Sequence, residues 1–158
     1  MSITCLVAAR WARIINFFEN KFSEIKVIQV LGVVKNREFK KQLIRRAFQL
    51  SREIIILIDK FPNRRSTLVI SDQLLRSITS IGANIVEAQA ASSKHDFINF
   101  LNYSLKSGNE AKYWLALAKD LDHRLISEIE KLLKETDEIV KILGSSIATL
   151  KSKKKPQF

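Results

Sequence analysis

The sequence predicts an all-α protein built as an up-down-up-down four-helix bundle. Glycine and proline, which interrupt helices, number only 4 and 2 among 158 residues. From about residue 37 onward, apolar residues recur at spacings of three and four, the period of one helix face. Four such segments with short connections favour a bundle of antiparallel neighbours. We therefore divide the chain into an N-terminal extension (1–36), the bundle (37–150) and a basic C-terminal tail (151–158).

The first helix is predicted from about Arg37 to Lys60, because Pro62 disfavours helical geometry at the residue before it. The run Ile54–Ile58 resembles a strand when taken alone, but the helical period on both sides favours a helix buried on two sides. The apolar stripe of this helix comprises Phe39, Leu43, Ala47, Leu50, Ile54, Leu57 and Phe61.

The second helix is predicted to begin near Ser66 or Thr67, since both residue types cap helix N-termini. Its core stripe alternates gaps of four and three, which is a heptad pattern. The stripe comprises Leu74, Ile78, Ile81, Ile85 and Ala88. This pattern is typical of helices that pack at shallow angles.

Two further helices are predicted from capping boxes, in which a serine is followed three residues later by an acid. Ser93 with Asp96 starts the third helix, and Ser127 with Glu130 starts the fourth. The third stripe comprises Phe97, Leu101, Ser104, Gly108, Ala111, Leu115 and Ala118. The fourth comprises Ile129, Leu133, Thr136, Val140, Leu143, Ile147 and Leu150.

A second stripe on the third helix widens its apolar face beyond that of an ordinary surface helix. It comprises Phe100, Tyr103, Ser107, Glu110, Trp114, Leu117 and Leu121. Two interpretations stay open at this point. The aromatic residues Phe100, Tyr103 and Trp114 either complete the core of one subunit or form part of an oligomer interface, since large exposed apolar patches are rare on monomers.

The N-terminal extension differs from the bundle. Its stretch "ITCLVAARWARIINFFENKF" could form a short amphipathic helix with Arg10, Arg13 and Lys21 off the apolar side, whereas Ile25–Val34 is strand-like. The chain has one cysteine, Cys5, so it has no internal disulfide and no cysteine-based zinc site. We expect a cytoplasmic protein without a secretory signal or a membrane-spanning segment.

The net charge is +11 and the pI is about 10.0. Such an excess favours a polyanionic partner, which could be nucleic acid, an anionic membrane surface or an acidic protein. Clustered cations neutralise phosphates with little base specificity, and the alternative is an ordinary solvated basic surface. We take these residues as candidate nucleic-acid contacts: Arg37, Lys40, Lys41, Arg45, Arg46, Arg64, Arg65, Lys151, Lys153, Lys154 and Lys155.

No catalytic, metal or cofactor site is predicted. Only His95 and His123 could act as an imidazole base, and neither has metal-ligand spacing. Glu87 and Glu110 could be called an acid–base couple if the second and third helices are neighbours. We favour the other interpretation, in which Asn84, Ser107 and the two glutamates are structural polar residues, with Arg76 or a lysine balancing their charge.

One segment, Ser71 to Asp120, closely resembles the family of the 23S rRNA intervening sequence protein. Its pattern here comprises Gln73, Leu74, Arg76 and Ser77, then Ser80, Ile81, Asn84, Ile85 and Glu87, then Ser93, Lys94, Asp96 and Phe97, and lastly Glu110. The phrase "DKFPNRRS" resembles the first loop of that family, and the likeness extends over about residues 39–151. Residues 1–35 depart from the pattern.

The resemblance implies a bacterial four-helix bundle that assembles as a homopentamer and has no established catalytic activity. It implies mainly structural roles for Arg76, Asn84, Glu87 and Glu110. A related branch, the accessory variability protein of diversity-generating retroelements, is basic and partners a reverse transcriptase and RNA. We therefore expect a non-enzymatic, homo-oligomeric protein that binds nucleic acid, with RNA as the expected ligand. The alternative is a protein-interaction scaffold or an accessory subunit of a reverse transcriptase.

Overall fold

The structure, a computed structural model, describes residues 37–152, with the exception of the Arg37 side chain. These residues form four α-helices and no strand. The helices are α1 (Arg37–Ile58), α2 (Arg65–Glu87), α3 (Lys94–Ala118) and α4 (Ile126–Ser152). The 3₁₀ turns Ala88–Ala90 and His123–Leu125 lie before α3 and α4. The predictions for residues 1–36 and 153–158 fall outside the described residues.

The helices pack as a four-membered ring in which each contacts the next and α4 returns to α1. Contacts between consecutive helices pair rising residue numbers on one with falling numbers on the other, so neighbours run antiparallel, as the sequence predicts. The contacts are Ser80 with Ser107 and Ile81 with Ser104 for α2 and α3, Gly108 with Val140 and Lys112 with Asp137 for α3 and α4, and Arg46 with Glu135 and Lys60 with Glu128 for α1 and α4. These three relations make α1 antiparallel to α2 as well. The start of α1 and the end of α4 therefore lie at the same end of the bundle.

The buried residues of each helix recur at spacings of three and four, as expected for one face of a helix. All five predicted stripe residues of α2 and all seven of α3 are buried. On α4, Leu133 is only half-buried, and Leu132 and Ile139 lie in the core instead. The predicted stripe of α4 was narrower than its buried face, because α4 packs against both α1 and α3 and so buries residues on two sides. On α1, Phe39 is exposed because it lies in the first turn, at an open end of the bundle.

The N-terminus of α3 is capped as predicted. The Ser93 hydroxyl accepts a hydrogen bond from the Asp96 backbone N–H at 3.1 Å. The Asp96 carboxylate in turn accepts from the backbone N–H of Ser92 at 3.1 Å, one residue earlier than an ideal capping box requires. These bonds satisfy two backbone donors where the chain turns from α2 into α3.

The predicted caps of the other two helices were wrong. Helix α2 begins at Arg65 after an extended Arg64 with no side-chain cap, and Thr67 turns inward and is buried. Helix α4 begins one residue before Ser127. The cap lies further upstream, where Asp122 accepts the Arg124 N–H at 2.9 Å at the head of the 3₁₀ turn.

Candidate functional site

The predicted cationic residues divide between the two ends of the bundle. Lys40, Lys41 and Arg45 lie in the first turns of α1, and Lys151 lies in the last turn of α4 at the same end. Arg64 and Arg65 lie at the opposite end, where α2 begins. The 22-residue length of α1 separates these two groups by about 30 Å. The structure does not bring the predicted set together, and Lys153, Lys154 and Lys155 lie outside the described residues.

The end that contains the start of α1 carries most of the uncompensated charge of the described bundle. We call it the basic end and define it as residues 37–46, 79–104 and 143–152. It holds seven Lys and Arg residues against three acids. The cations are Arg37, Lys40, Lys41, Arg45, Arg46, Lys94 and Lys151, and the acids are Glu38, Glu87 and Asp96. The opposite end, residues 57–72 and 113–131, holds six cations and six acids.

The Arg46 side chain forms an ion pair between α1 and α4. Its guanidinium binds the Glu135 carboxylate of α4 with two hydrogen bonds, of 2.7 Å from Nε and 3.1 Å from Nη2. The hydrogen bond that Arg46 donates to Glu135 raises the Arg46 pKa above its ordinary value. A planar guanidinium in this two-point geometry resists exchange for another anion. Of the candidate contacts at the basic end, Arg46 is therefore the least suited to bind phosphate.

Other cations of the basic end have different surroundings. Arg45 approaches Glu38 at only 3.9 Å, and both side chains are more than half exposed, so solvent screens the pair. Lys40 lies 5.8 Å from the centre of the Phe97 ring, and burial lowers its pKa. Within residues 37–152, Lys41 and Lys151 form no ion pair, and Lys151 is exposed. Their charges are available to a ligand at that end.

Polar residues line the contact between α2 and α3. Ser80 and Asn84 belong to the pattern of the family resemblance, and Ser104 and Ser107 do not. The Ser107 hydroxyl donates to the Ser80 hydroxyl at 3.0 Å. Asn84 donates to the Ser80 carbonyl at 2.7 Å, and the buried Ser104 hydroxyl donates to the Ile81 carbonyl at 3.0 Å. The two serine bonds, Ser107 to Ser80 and Ser104 to Ile81, tie α2 to α3 and set the register of the two helices, whereas the Asn84 bond lies within α2.

The register separates the two glutamates that might have formed an acid–base couple. With Ser80 opposite Ser107, Glu110 lies opposite residues near Arg76, about 16 Å along the axis from Glu87. Glu110 instead accepts a hydrogen bond from the Trp114 indole N–H at 3.2 Å on its own helix. Arg76, one of the two expected charge partners beside a lysine, pairs with Asp72 of its own helix at 3.0 Å.

Aromatic side chains flank this polar line. Tyr103 is 53% exposed and meets Phe100 edge-on with ring centres 6.5 Å apart, and the Lys106 ammonium lies 5.9 Å from its ring. Phe100 and Trp114 pack partly against the core. Phe100 and Trp114 therefore follow the core interpretation in part, whereas Tyr103 projects into solvent and the oligomer interface stays a prediction. We call this side, with Arg76, Asn84, Tyr103 and Trp114, the α2–α3 face.

Tyr113 is an exposed aromatic that the stripe analysis missed. It is 59% exposed and meets Trp114 edge-on with ring centres 5.0 Å apart. Its exposure could have been predicted from its position seven residues, or two helical turns, after Lys106, because this spacing places both residues on the same outward side of α3.

The two histidines lie in the first turn of α3 and just before α4. His95 is exposed and its Nδ1 lies 3.2 Å from the Asn99 side-chain amide, while His123 is exposed in the 3₁₀ turn before α4. Within residues 37–152, no group of three or more His, Cys, Asp or Glu residues converges on a point where a metal could bind. No helix in that range is long and apolar enough to cross a membrane.

Comparison with known proteins identifies the family. The model of the 23S rRNA-intervening sequence protein family matches residues 40–145. The chain belongs to this family. It also resembles the crystal structure of a protein of unknown function from the S23 ribosomal protein family of Bacteroides thetaiotaomicron. Sequence identity to that protein is 38%, with 69% of this chain and 97% of that chain covered and a TM-score of 0.63. No curated protein matches this chain.

Proposed function

We propose that this family member is a non-enzymatic, homo-oligomeric RNA-binding protein that contacts phosphates through its basic end. The observation that carries the proposal is the charge asymmetry of the bundle. With the Arg46–Glu135 pair set aside, one end has six cations against three acids, and the other end has equal numbers. Three more lysines, residues 153–155, follow Lys151 in the sequence. Clustered cations of this kind release the counterions of a phosphate backbone and give binding that weakens steeply with salt.

The family name supports RNA as the polyanion, because it refers to sequences inserted in ribosomal RNA. Assembly strengthens the argument. A homopentamer would carry a formal charge of about +55, five times that of one chain, which attracts a polyanion from a distance. Binding is expected to follow shape and charge rather than base sequence, since the loosely held cations lie at helix ends without a recognition element.

The α2–α3 face is the surface proposed for self-association. It combines an exposed tyrosine, a half-buried tryptophan and an exposed arginine, and these three residue types are enriched where protein interfaces bury most of their energy. Light scattering of Tyr103→Asp should show a monomer, whereas Lys134→Asp on the outer side of α4 should keep the oligomer. A parent protein that is itself monomeric at tens of micromolar would contradict the assembly proposal.

RNA binding is tested by fluorescence anisotropy with a structured RNA across a salt series. The triple variant Lys41→Gln, Arg45→Gln, Lys151→Gln should lose roughly tenfold or more in affinity, and its log K against log salt slope should become shallower by about 2 to 3. The control Arg64→Gln, Arg65→Gln changes the opposite end and should lose much less. Absence of binding at low salt, or equal losses from both ends, would contradict the proposal.

A second candidate function is an accessory subunit for a reverse transcriptase, as in the retroelement branch that the sequence resembles. The α2–α3 face favours it too, because a protein partner would use the same exposed aromatic and arginine side chains. A tight complex with a purified reverse transcriptase, lost on Tyr103→Asp, together with negligible RNA affinity of the protein alone, would favour this function over the first.

A further inference from the structure

The outward side of α3 carries a regular series of polar side chains. The buried residues of this helix, among them Leu101, Gly108 and Leu115, lie on its other side. Spacings of four and three place six residues in line along the outward side, over about 27 Å of helix. We call them the outer row, and they are His95, Asn99, Asn102, Lys106, Asn109 and Tyr113.

The outer row offers hydrogen-bonding groups that bind no other helix. Among residues 37–152, the side-chain amides of Asn102 and Asn109 form no hydrogen bond. The Asn99 side-chain nitrogen lies 3.2 Å from Nδ1 of His95. An amide nitrogen can only donate, so the proton of the neutral imidazole lies on Nε2, where it can donate to a ligand. The row therefore presents both donors and acceptors to solvent.

The charge along this side of α3 is neutral to positive. No acidic residue occurs in residues 97–109. Of the acids that bound this stretch, Asp96 belongs to the α3 cap and Glu110 accepts a hydrogen bond from the Trp114 indole at 3.2 Å. Within residues 37–152, Lys106 forms no ion pair, so its charge is available to a phosphate. A phosphate backbone can therefore approach the outer row without facing a carboxylate there.

Tyr113 ends the outer row with an exposed aromatic ring whose neighbour is fixed. The ring meets Trp114 edge-on, with centres 5.0 Å apart and 73° between the two planes. Trp114 itself packs partly against the core. In either edge-on arrangement, at least one face of the Tyr113 ring stays clear of Trp114, and the residue is 59% exposed. An open aromatic face of this kind is a platform on which an unpaired base stacks.

We propose that the outer row binds an unpaired stretch of RNA with one base stacked on Tyr113, an inference that rests on the proposed RNA-binding function. Helix α3 begins at the basic end with Lys94 and His95, so an RNA strand held there can continue along the row. Lys106 contacts a phosphate, and the asparagine amides exchange hydrogen bonds with 2′-hydroxyl groups. The bases of a duplex are already stacked on each other, so only an unpaired base can reach Tyr113.

The chemistry of the outer row favours RNA over a protein as its occupant. A protein interface buries a core of apolar side chains, and the row contains no aliphatic residue and a single aromatic one. The side chains that suit a protein partner lie on the α2–α3 face instead. Amides, a lysine and one open ring match the 2′-hydroxyls, phosphates and bases of an unpaired strand.

Fluorescence anisotropy with two probes tests the inference. The probes are a single-stranded RNA of about 16 nucleotides without self-complementarity and the same RNA in a duplex with its complement. Tyr113→Ala should weaken single-strand binding roughly tenfold, the contribution of one stacked base, and duplex binding less than about twofold. Tyr113→Phe keeps the ring and should retain the parent affinity. The control Ile56→Ala removes an exposed side chain of α1 and should change neither affinity.

The outcomes separate this inference from the proposed function. Single-strand binding that Tyr113→Ala leaves unchanged would overturn the inference, make a protein the better occupant and leave the basic end as the RNA site. Equal losses on both probes would also overturn it. A parent protein that binds neither probe at low salt would overturn both proposals. Light scattering of Tyr113→Ala should give the parent mass, and a changed mass would place Tyr113 in a subunit interface and overturn the inference.

The salt dependence of single-strand binding tests the role of Lys106. Lys106→Gln should make the log K against log salt slope shallower by about 0.7, the effect of one phosphate contact on a single strand. Tyr113→Ala should leave the slope unchanged, since stacking releases no counterions. The matched control Lys134→Gln removes the same charge from the outer side of α4 and should change the slope much less. Equal changes in the two lysine variants would contradict a contact at Lys106.

Photo-cross-linking locates the RNA strand directly. A single-stranded RNA that contains 4-thiouridine is irradiated with the protein, and the adducts are mapped on tryptic peptides. Trypsin places Tyr103 on the peptide 95–106 and Tyr113 on the peptide 113–119, so the two tyrosines are distinguished. An adduct on 113–119 that is lost in Tyr113→Ala is the expected result. Adducts confined to peptides of α1 and α4 would overturn the inference.

Discussion

Gly108 of α3 lies so close to Val140 of α4 that a Cβ on residue 108 would stand 2.5 Å from the Val140 Cγ2 atom. Side-chain carbons do not approach each other so closely, so this contact requires a residue without a side chain. The buried Ser104 and Ala111, one turn away on either side, extend the narrow strip along α3. The close approach of α3 to α4 therefore depends on Gly108, whereas the Ser104 hydroxyl contacts the Ile81 carbonyl of α2.

The first prediction concerns this contact. Gly108→Ala should lower the free energy of unfolding by about 1–2 kcal/mol, because the strain of overpacking against the stiff Val140 side chain exceeds the gain in helix propensity. Gly144→Ala, on α4 with no atom within 4 Å of the added Cβ, should raise it by about 0.5–1 kcal/mol. Urea denaturation measures both. Val140→Ala should remove most of the penalty of Gly108→Ala, and a penalty that persists there would show that Val140 is not its source.

The second prediction compares two buried threonines. The hydroxyl of Thr67 is buried and has no hydrogen-bond partner among residues 37–152, whereas the hydroxyl of Thr136 donates to the Leu132 carbonyl at 2.7 Å. Thr67→Val should raise the free energy of unfolding by about 1 kcal/mol, since it removes an unpaired polar group. Thr136→Val should lower it by a similar amount. Thermal unfolding of the two variants is the measurement, and shifts of the same sign would refute the assignment.

Thr67 also shows where reasoning from sequence alone fails. Threonine is a good N-cap, and its position before the apolar stripe of α2 predicts that role. The helix instead begins two residues earlier, and the helical period then points Thr67 at the core. Burial of Thr67 in the core therefore outweighed its preference for the N-cap position. The stripes of α2 and α3 were predictable because burial along a helix depends only on spacing, which the sequence displays.

The candidate site was less predictable because it depends on register. The basic residues could be identified from the sequence. Nothing in the sequence around Arg46 indicates that it pairs with Glu135, 89 positions away, while Lys41 forms no such pair. Glu87 and Glu110 were also unpredictable in this respect. Each lies three residues after a polar residue, but the register of α2 and α3 separates the two glutamates along the bundle axis. Partners of surface charges depend on how helices align, and a single sequence contains no direct measure of that alignment.

The third prediction uses two ion pairs between α1 and α4. Arg46 and Glu135 form a two-point contact with side chains 37% exposed, whereas Lys131 lies 3.6 Å from Glu53 and is 76% exposed. Double-mutant cycles to alanine should give a coupling energy of about 0.5–1 kcal/mol for the first pair and about 0.2 kcal/mol for the second. The larger coupling should shrink in 1 M salt. A weaker coupling for Arg46 with Glu135 would mean that their geometry adds nothing to stability.

The fourth prediction is a pH dependence at the start of α4. Hydrogen bonds from the Arg124 side chain and backbone lower the pKa of Asp122 from 3.8 to about 2. Since the folded pKa lies below the unfolded one, the stabilisation is complete above pH 4 and is lost as the pH falls through about 2. Carboxyl NMR should therefore give a midpoint near 2 for Asp122, and Arg124→Ala should move it upward. The Tm difference between the parent and Asp122→Asn should narrow from pH 5 to pH 2, and a constant difference would contradict this account.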